Sequence, residues 1–461
     1  MTLLNINNLT LRYPIADCPA ISDLDFSVDA GQTVYLTGPS GSGKTSLLRA
    51  LNGLAWSQFG AKITGDINFK GQALYGRSLR DIAQHIRTLF QEPDSQFFAL
   101  TCRDDFLLTM ECNLMDKDKA LDLYAYWAKK LSLEHLGDRP VHLLSSGEKQ
   151  KAVLMVLLAL SPSLILLDEP TANLDEESVK ELARCLFEIR KAGVAVIVSD
   201  HRRSWLGPFV DKAVVLQKGA LAYIGPLEEL NKFEVAEKLG LRREIKETKI
   251  LTEPVDMGAA VVKAKNLGFS YKGGPELFKD FNLNLPAGKV TAITGPNGSG
   301  KTTIMRLIAG LLKAKSGGVY FKDKLVSRRY RLAQSSLALQ NADHQLVMSS
   351  VASELTAAAP DRFSLSDSVT AELKLWDLAG LEERHPQSLS GGERQRLVLA
   401  CAMARKSKVL ILDEPSSGLD NHNLNLLARN LKKYIGEETT ALLITHDRDL
   451  IDLAADYERK L

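Results

Sequence analysis

A chain of 461 residues is too long for one compact domain and points to two or three. Hydrophobic residues at 45% and charged residues at 25% are ordinary globular values, and 58 Lys plus Arg against 56 Asp plus Glu leave a formal net charge of +2. That near-balance gives no electrostatic footprint for nucleic acid, and five cysteines without a CxxC pair argue against a disulfide framework or a zinc site and fit a reducing compartment.

The first residues, MTLLNINNLTLRYP, have neither a basic n-region nor a long apolar stretch, so no signal peptide is expected. A strand-like run, VYLTG, then leads into Gly38-Pro39-Ser40-Gly41-Ser42-Gly43-Lys44-Thr45, followed by a helix-like SLLRALNGL that opens at Ser46. This fits GxxxxGK[ST] in the strand-to-helix context that a P-loop needs. Its glycines let backbone N–H groups curl around phosphate oxygens, and the helix N-terminus adds a favourable dipole. Lys44 is expected to reach the β- and γ-phosphates and Thr45 to ligate Mg²⁺.

Further along, the apolar stretch Ala152 to Leu167 is broken by Ser161-Pro162-Ser163. It reads as a buried helix followed by a buried strand, since a membrane span needs about 20 apolar residues. The strand-like LILL ends at Asp168, and Glu169 follows. Ligands of such sheets sit at the carboxyl ends of the strands, so Asp168 is expected at Mg²⁺. Glu169 is placed to orient and polarise an attacking water, a contribution typically of 10²–10⁴-fold.

The whole pattern then recurs once, in the same order, with an offset that drifts as loop-length changes would produce. TGPSGSGKTS at 37–46 returns as TGPNGSGKTT at 294–303, which contains Gly295, Pro296, Asn297, Gly298, Ser299, Gly300, Lys301, Thr302 and Thr303. LLSSGEKQK returns as SLSGGERQR, and LILLDEPTANLD returns as VLILDEPSSGLD with Asp413 and Glu414. SDH ending at His201 returns as THD around His446. The expected division is 1–228, a charged linker at 229–257, and 258–461. Seven acidic and six basic residues between Glu228 and Glu253 read as a solvated linker, whose spaced Leu and Val suit a short helix before an extended tether. The second copy stops at DYERKL, so no room is expected there for an appended regulatory domain.

A P-loop paired with LS(S/G)GE, DEP, a following Asp and a lone histidine resembles the ATP-binding-cassette (ABC) ATPases, over essentially the whole chain outside the linker. The resemblance implies an α/β fold of two P-loop NTPase domains, each with a mainly parallel sheet core, an antiparallel β subdomain and a helical signature subdomain. It implies that Ser145 and Gly147, and Ser390 and Gly392, are signature residues that meet the γ-phosphate across a domain interface. Gln91 and Gln340 become Q-loop residues sensing Mg²⁺, Asp175 and Asp420 D-loop residues, and His201 and His446 switch histidines. Tyr13 and Tyr271 fall where an aromatic stacks on adenine. ATP and Mg²⁺ are then held at two composite sites formed by intramolecular pairing of the two domains. Preorganised donors arriving on closure supply the charge stabilisation that phosphoryl transfer needs. The chain departs from the family pattern at Ser146, where glycine is usual, and at Glu148 and Glu393, where glutamine is common.

The stretches FQEPDSQFFALTCRDDF from Phe90 and LQNADHQLVMSSVASEL from Leu339 share a Gln, an Asp three later and a Gln two further. That spacing is similar to ATPases of energy-coupling-factor (ECF) importers of prokaryotes, which take up vitamins and transition-metal ions; Ala342 stands where the pattern usually has proline. The resemblance implies integral membrane partners, a transmembrane coupling protein and a substrate-binding subunit, with this chain peripheral on the cytoplasmic face of the cell membrane. Gln96 and Gln345 would lie near the docking groove for those partners. Two other classes compete: a soluble twin-cassette ATPase acting on ribosomes or nucleic acid, which typically has a longer, strongly basic inter-domain segment, and a nucleotide-gated scaffold without turnover, against which Glu169 and Glu414 speak.

Overall fold

The structure, a computed structural model, describes residues 1–461 apart from 15, 173, 244–259, 340–341, 343–344 and 360–365. The chain divides into two compact units, Met1–Glu244 and Ile245–Leu461.

In the first unit the strands are β1 (Thr2–Arg12), β2 (Ile21–Asp29), β3 (Thr33–Thr37), β4 (Lys62–Phe69), β5 (Gln72–Ala73), β6 (Ile86–Leu89), β7 (Leu164–Asp168), β8 (Ala195–Ser199), β9 (Lys212–Gln217) and β10 (Ala220–Gly225). One sheet has the order β2-β1-β4-β5 and antiparallel pairs; the other has the order β10-β9-β3-β8-β7-β6 and is parallel except at β10. β3, β7 and β8 are buried at every residue, which is why they read as unbroken apolar runs instead of alternating ones. The pleat still sorts their side chains. Leu164 and Leu166 face a core shared with the antiparallel sheet and the helix Lys44–Leu51, whereas Ile165 and Leu167 face the core of the helical side.

That helical core contains the helix Ser146–Ala159, buried at every residue from Ala152 to Ala159. It ends before Ser161, whose φ of 50° turns the chain into β7. The apolar run is thus a buried helix followed by a buried strand, and no helix among the described residues is long and apolar enough to cross a membrane.

The segment after residue 228 belongs physically to the first unit. Helices Leu227–Leu230 and Phe233–Lys238 place Leu230, Ala236, Leu239 and Leu241 in the helical core. Each buried leucine there stabilises by on the order of 2 kcal/mol, enough to hold a charge-balanced stretch that composition marks as linker. The extended tether expected beyond it lies outside the described residues.

The second unit repeats the plan with β11 (Ala260–Ser270), β12 (Glu276–Pro286), β13 (Val290–Thr294), β14 (Ser316–Phe321), β15 (Lys324–Leu325), β16 (Ser335–Ala338), β17 (Val409–Asp413), β18 (Thr440–Ile444) and β19 (Tyr457–Lys460). Its antiparallel sheet runs β12-β11-β14-β15 and its parallel sheet β16-β17-β18-β13-β19. Leu410 and Leu412 face one core, Val409 and Ile411 the other.

Candidate nucleotide sites

In each unit a buried strand, β3 or β13, delivers the chain to a glycine-rich loop whose last residue caps a helix. Gly38, Gly41 and Gly43 have φ of 146°, 73° and 100°; Gly295, Gly298 and Gly300 have 140°, 81° and 99°. Space also demands glycine at both ends of the first loop: a Cβ on Gly38 would stand 2.1 Å from Leu216 O, and one on Gly43 2.5 Å from Ala20 O. Lys44 Nζ donates to Gly38 O at 2.8 Å and Pro39 O at 3.1 Å, and Lys301 Nζ to Gly295 O and Pro296 O, both at 2.8 Å. Each ammonium is therefore pinned at the mouth of its own loop. The Ser42 and Ser299 hydroxyls are buried with no hydrogen-bond partner among the described residues, so both loops hold a donor suited to a phosphate oxygen.

β7 and β17 end at Asp168 and Asp413, beside these loops. Thr302 Oγ1 donates to Asp413 Oδ2 at 3.3 Å, and Ser199 and Thr45 lie beside Asp168 and favour its charged form. Burial raises both aspartates; Lys44 and Arg49 pull Asp168 back, and Thr302 and Lys301 do so for Asp413. A hydroxyl beside a carboxylate suits Mg²⁺, which is usually held by one or two carboxylates plus substrate phosphates. Among the described residues no cluster of three or more His, Cys, Asp or Glu could hold a metal by itself.

The next residues carry unusual backbone. Glu169 and Glu414 have φ of 47° and 48°, a region that few residues other than glycine occupy, at a cost of order 1–3 kcal/mol. Their amides donate to Ser199 O at 2.7 Å and Ile444 O at 2.9 Å, which holds the turn at the end of the neighbouring strand. His201 Nε2 stands 3.6 Å from Glu169 Oε1, and His446 Nε2 3.6 Å from Glu414 Oε1. Gln91 Nε2 donates to Glu169 Oε2 at 2.9 Å, whereas Gln340 lies outside the described residues. Burial, with Asp168 alongside, pushes Glu169 up to about 8. Burial also drives His201 well below its ordinary value, with Lys44 and Arg242 adding to it, so its imidazole is neutral.

The signature serines cap helices. Ser145 N donates to Glu148 Oε2 at 2.7 Å and Glu148 N to Ser145 Oγ at 3.3 Å; Ser390 and Glu393 do the same at 2.7 and 3.4 Å. These reciprocal boxes explain glutamate where glutamine is common: its carboxylate accepts from the cap and favours the positive end of the helix. A Cβ on Gly391 would meet nothing within 4 Å, so the side chain of its counterpart Ser146 has no reason to disturb its own unit. Asp175 and Asp420 are also N-caps, accepting from Ser178 N at 2.8 Å and Asn423 N at 2.9 Å.

The two tyrosines differ. Tyr271 follows β11, and its hydroxyl bonds Thr303 Oγ1 at 3.0 Å, which ties it to the helix after the second P-loop. Tyr13 packs edge-on against Phe59 at 6.3 Å, and its buried hydroxyl has no partner among the described residues. Structure adds Ser199 and Arg242 to the first site. Ser199 closes an apolar strand as the first residue of the SDH string, and Arg242 lies in a stretch whose charges cancel.

The sequence pattern of the ABC transporter family matches residues 21–172 and again 278–417. Both P-loops, both signatures and both Asp-Glu pairs fall inside those spans, while the tyrosines, Asp175, Asp420 and the histidines fall outside. A protein of Treponema denticola named "Putative ABC transporter ATP-binding protein" is 31% identical over 97% of this chain and 93% of its own length. "Putative HMP/thiamine import ATP-binding protein YkoD" of Bacillus subtilis is 30% identical over 98% of this chain and 89% of its own. Among solved structures, one titled "RNase-L Inhibitor" superposes with a TM-score of 0.66 at 24% identity over 98% of this chain and 87% of that one, a likeness of fold. With the family pattern present twice, each time around a complete P-loop and Asp-Glu turn, the chain belongs to the ABC transporter family and is an ATPase.

Proposed function

We propose that this chain is the ATP-hydrolysing motor of a membrane importer, of the ECF type, that takes up a vitamin or a transition-metal ion. The observation that carries the reading is the match along 98% of the chain to a relative named for HMP/thiamine import. A built surface in each unit supports it. Gln96 accepts from Phe90 N at 2.9 Å and donates to Thr88 O at 3.0 Å; Gln345 accepts from Leu339 N at 2.7 Å and donates to Leu337 O at 3.1 Å. Each glutamine thus clamps its loop to the end of the neighbouring strand. Asp105 accepts from Phe98 N and Ala99 N at 2.7 and 3.1 Å, fixing the next residues. The loops so held present Phe98, Leu100 and Val347 at 82%, 81% and 77% exposure. Apolar side chains kept in water by fixed backbone suit docking to membrane subunits, a coupling protein and a substrate-binding subunit, on the cytoplasmic face.

At the nucleotide, the P-loop amides and Lys44 or Lys301 bind the phosphates, and Glu169 or Glu414 takes a proton from water lined up by the neighbouring histidine. Thr45 and Asp168, Thr302 and Asp413, with Gln91 and Gln340, would hold Mg²⁺, which neutralises phosphate charge when bound. Purification of the tagged chain from detergent-extracted membranes tests the reading. Integral membrane subunits should co-purify, and their binding should weaken when Phe98 and Leu100 become Ser; sedimentation with ribosomes and no membrane partner would overturn it.

A further inference from the structure

The near-zero net charge of the chain hides an uneven distribution. Between Ala260 and Arg331 there are 14 Lys and Arg against 3 Asp and Glu, whereas the matching stretch of the first unit, Thr2 to Ile82, has 7 against 6. Part of that excess lies on the outer face of the second antiparallel sheet. Across β12, β11, β14 and β15 the register sets Asn284, Lys263, Tyr320 and Leu325 in one row, with Lys265 two residues on along β11. Their neighbours Val262, Ala264, Leu283, Val319 and Phe321 turn into the core, so alternation points the row outward. Lys322 and Lys324 flank the turn from β14 to β15, both exposed, and Leu325 is 67% exposed. In the first unit the same row reads Ser27, Asn5, Asn68 and Ala73. One fold carries both rows, so its packing calls neither for the lysines nor for the outward leucine.

Lys263 is paired with Asp323 at 2.7 Å and Lys322 with Glu438 at 2.9 Å. Lys265 and Lys324 have no acidic partner among the described residues. Like charges gathered on one face repel one another, and an anionic partner offsets that cost. Single-stranded nucleic acid is held by bases stacked on open aromatic rings. Here the ring of Tyr320 already has Lys265 Nζ 5.0 Å from its centroid. A bilayer needs no open ring: it takes lysine heads at its phosphates and an exposed leucine at the acyl boundary. We propose that this face of the second unit binds an anionic phospholipid surface, with Lys265 and Lys324 at the headgroups and Leu325 at the boundary below them. Such binding is separate from capture by membrane subunits, because it needs lipid alone.

The test sediments the purified full chain with protein-free vesicles, either phosphatidylcholine alone or phosphatidylcholine mixed with phosphatidylglycerol. The chain should bind the mixed vesicles, bind the neutral ones far more weakly, and be released by added salt. Each lysine near an anionic surface strengthens binding by about fivefold, so Lys265→Gln with Lys324→Gln should weaken it about twentyfold. Melting temperature and ATP hydrolysis in solution should not change in that variant. Arginine at both positions keeps the charge and should restore binding, since a fluid lipid surface reads charge and not shape. No binding, equal binding to both vesicle types, undiminished binding by the glutamine variant, or failure of arginine to restore it would each overturn the proposal. Tighter binding to oligouridine than to the mixed vesicles, lost in the same variant, would overturn it too and make the face a nucleic-acid site. Should the glutamine variant fail to fold, Leu325→Ser decides: it should weaken binding severalfold, and unchanged binding would remove the leucine and the proposal with it.

Discussion

The first unit closes over its signature glycine, whereas the second leaves its counterpart open. A Cβ on Gly147 would stand 2.7 Å from Ser178 Oγ and 2.9 Å from Ser178 Cβ, while one on Gly392 has Arg396 Nη1 at 3.8 Å as its nearest neighbour. The loops below are alike: each lysine grips two carbonyls of its own loop, and each glutamate sits near φ 48° with a histidine nitrogen at 3.6 Å. What chemistry needs is thus held constant between the units, and what only packing needs has drifted.

The shared part should break first. Replacing Glu169 and Glu414 together with Gln should leave ATP binding in place and reduce hydrolysis by at least about 10²-fold. Undiminished turnover in the double variant would sink the assignment of both residues. The single variants sharpen the comparison, because unequal residual rates would show that the units are not equals in catalysis.

Glu169 also predicts a dependence of stability on pH. Its folded value of about 8 lies above the ordinary 4.5, so between those values the folded unit binds more protons than the unfolded chain and stability falls as pH rises. His201 is depressed and costs stability only below about 6.5, so the range from about 6.5 to 8 keeps its titration out of the comparison. Without nucleotide, Glu169→Gln should melt higher than the parent, with a gap that widens over that range towards a few kcal/mol. A gap independent of pH would show that the carboxyl is ionised throughout.

The roof over Gly147 gives a contrast of about 1–3 kcal/mol. Gly147→Ala should lower the melting temperature by roughly 2–10 °C, and Gly392→Ala should leave it unchanged. Adding Ser178→Gly to the first variant should restore most of the loss, since the clash is with that side chain. Equal melting temperatures for the two alanine variants would remove the packing difference. Ser146→Gly should not destabilise its unit, since a Cβ at the counterpart Gly391 meets nothing within 4 Å.

How much of this could be read from the chain follows from what fixes each residue. The P-loops and Asp-Glu pairs need several residue types within one short string, because a phosphate cradle is made of consecutive amides and a strand end is local. The parallel sheets were legible for a similar reason, strands buried on both faces being written as LILLD and VLILD. The roof over Gly147 is made by Ser178, thirty-one residues away on another helix, and nothing in LSSGE announces it. Arg242 sits in a stretch whose charges cancel, and only the burial of Leu239 and Leu241 beside it reveals that the segment turns inward. The spacing after Gln91 was legible as a pattern but not as a mechanism, since Gln96 acts by bonding backbone atoms of Phe90 and Thr88.

The tyrosines give the smallest contrast. Tyr271 loses a hydrogen bond to Thr303 when changed to Phe, at a net cost of about 0.5–1.5 kcal/mol. Tyr13 carries a buried hydroxyl with no partner among the described residues, so Tyr13→Phe removes a desolvated polar atom and should be neutral or slightly stabilising. Denaturant melts of the two variants, fitted with a common slope, measure the difference directly. If both tyrosines also stack on adenine, neither phenylalanine should weaken ATP binding, because stacking uses the ring and not the hydroxyl. Alanine at either position should weaken it. A loss of ATP binding in Tyr13→Phe would show instead that the buried hydroxyl is held for the nucleotide, which would make the first site the more exacting of the two.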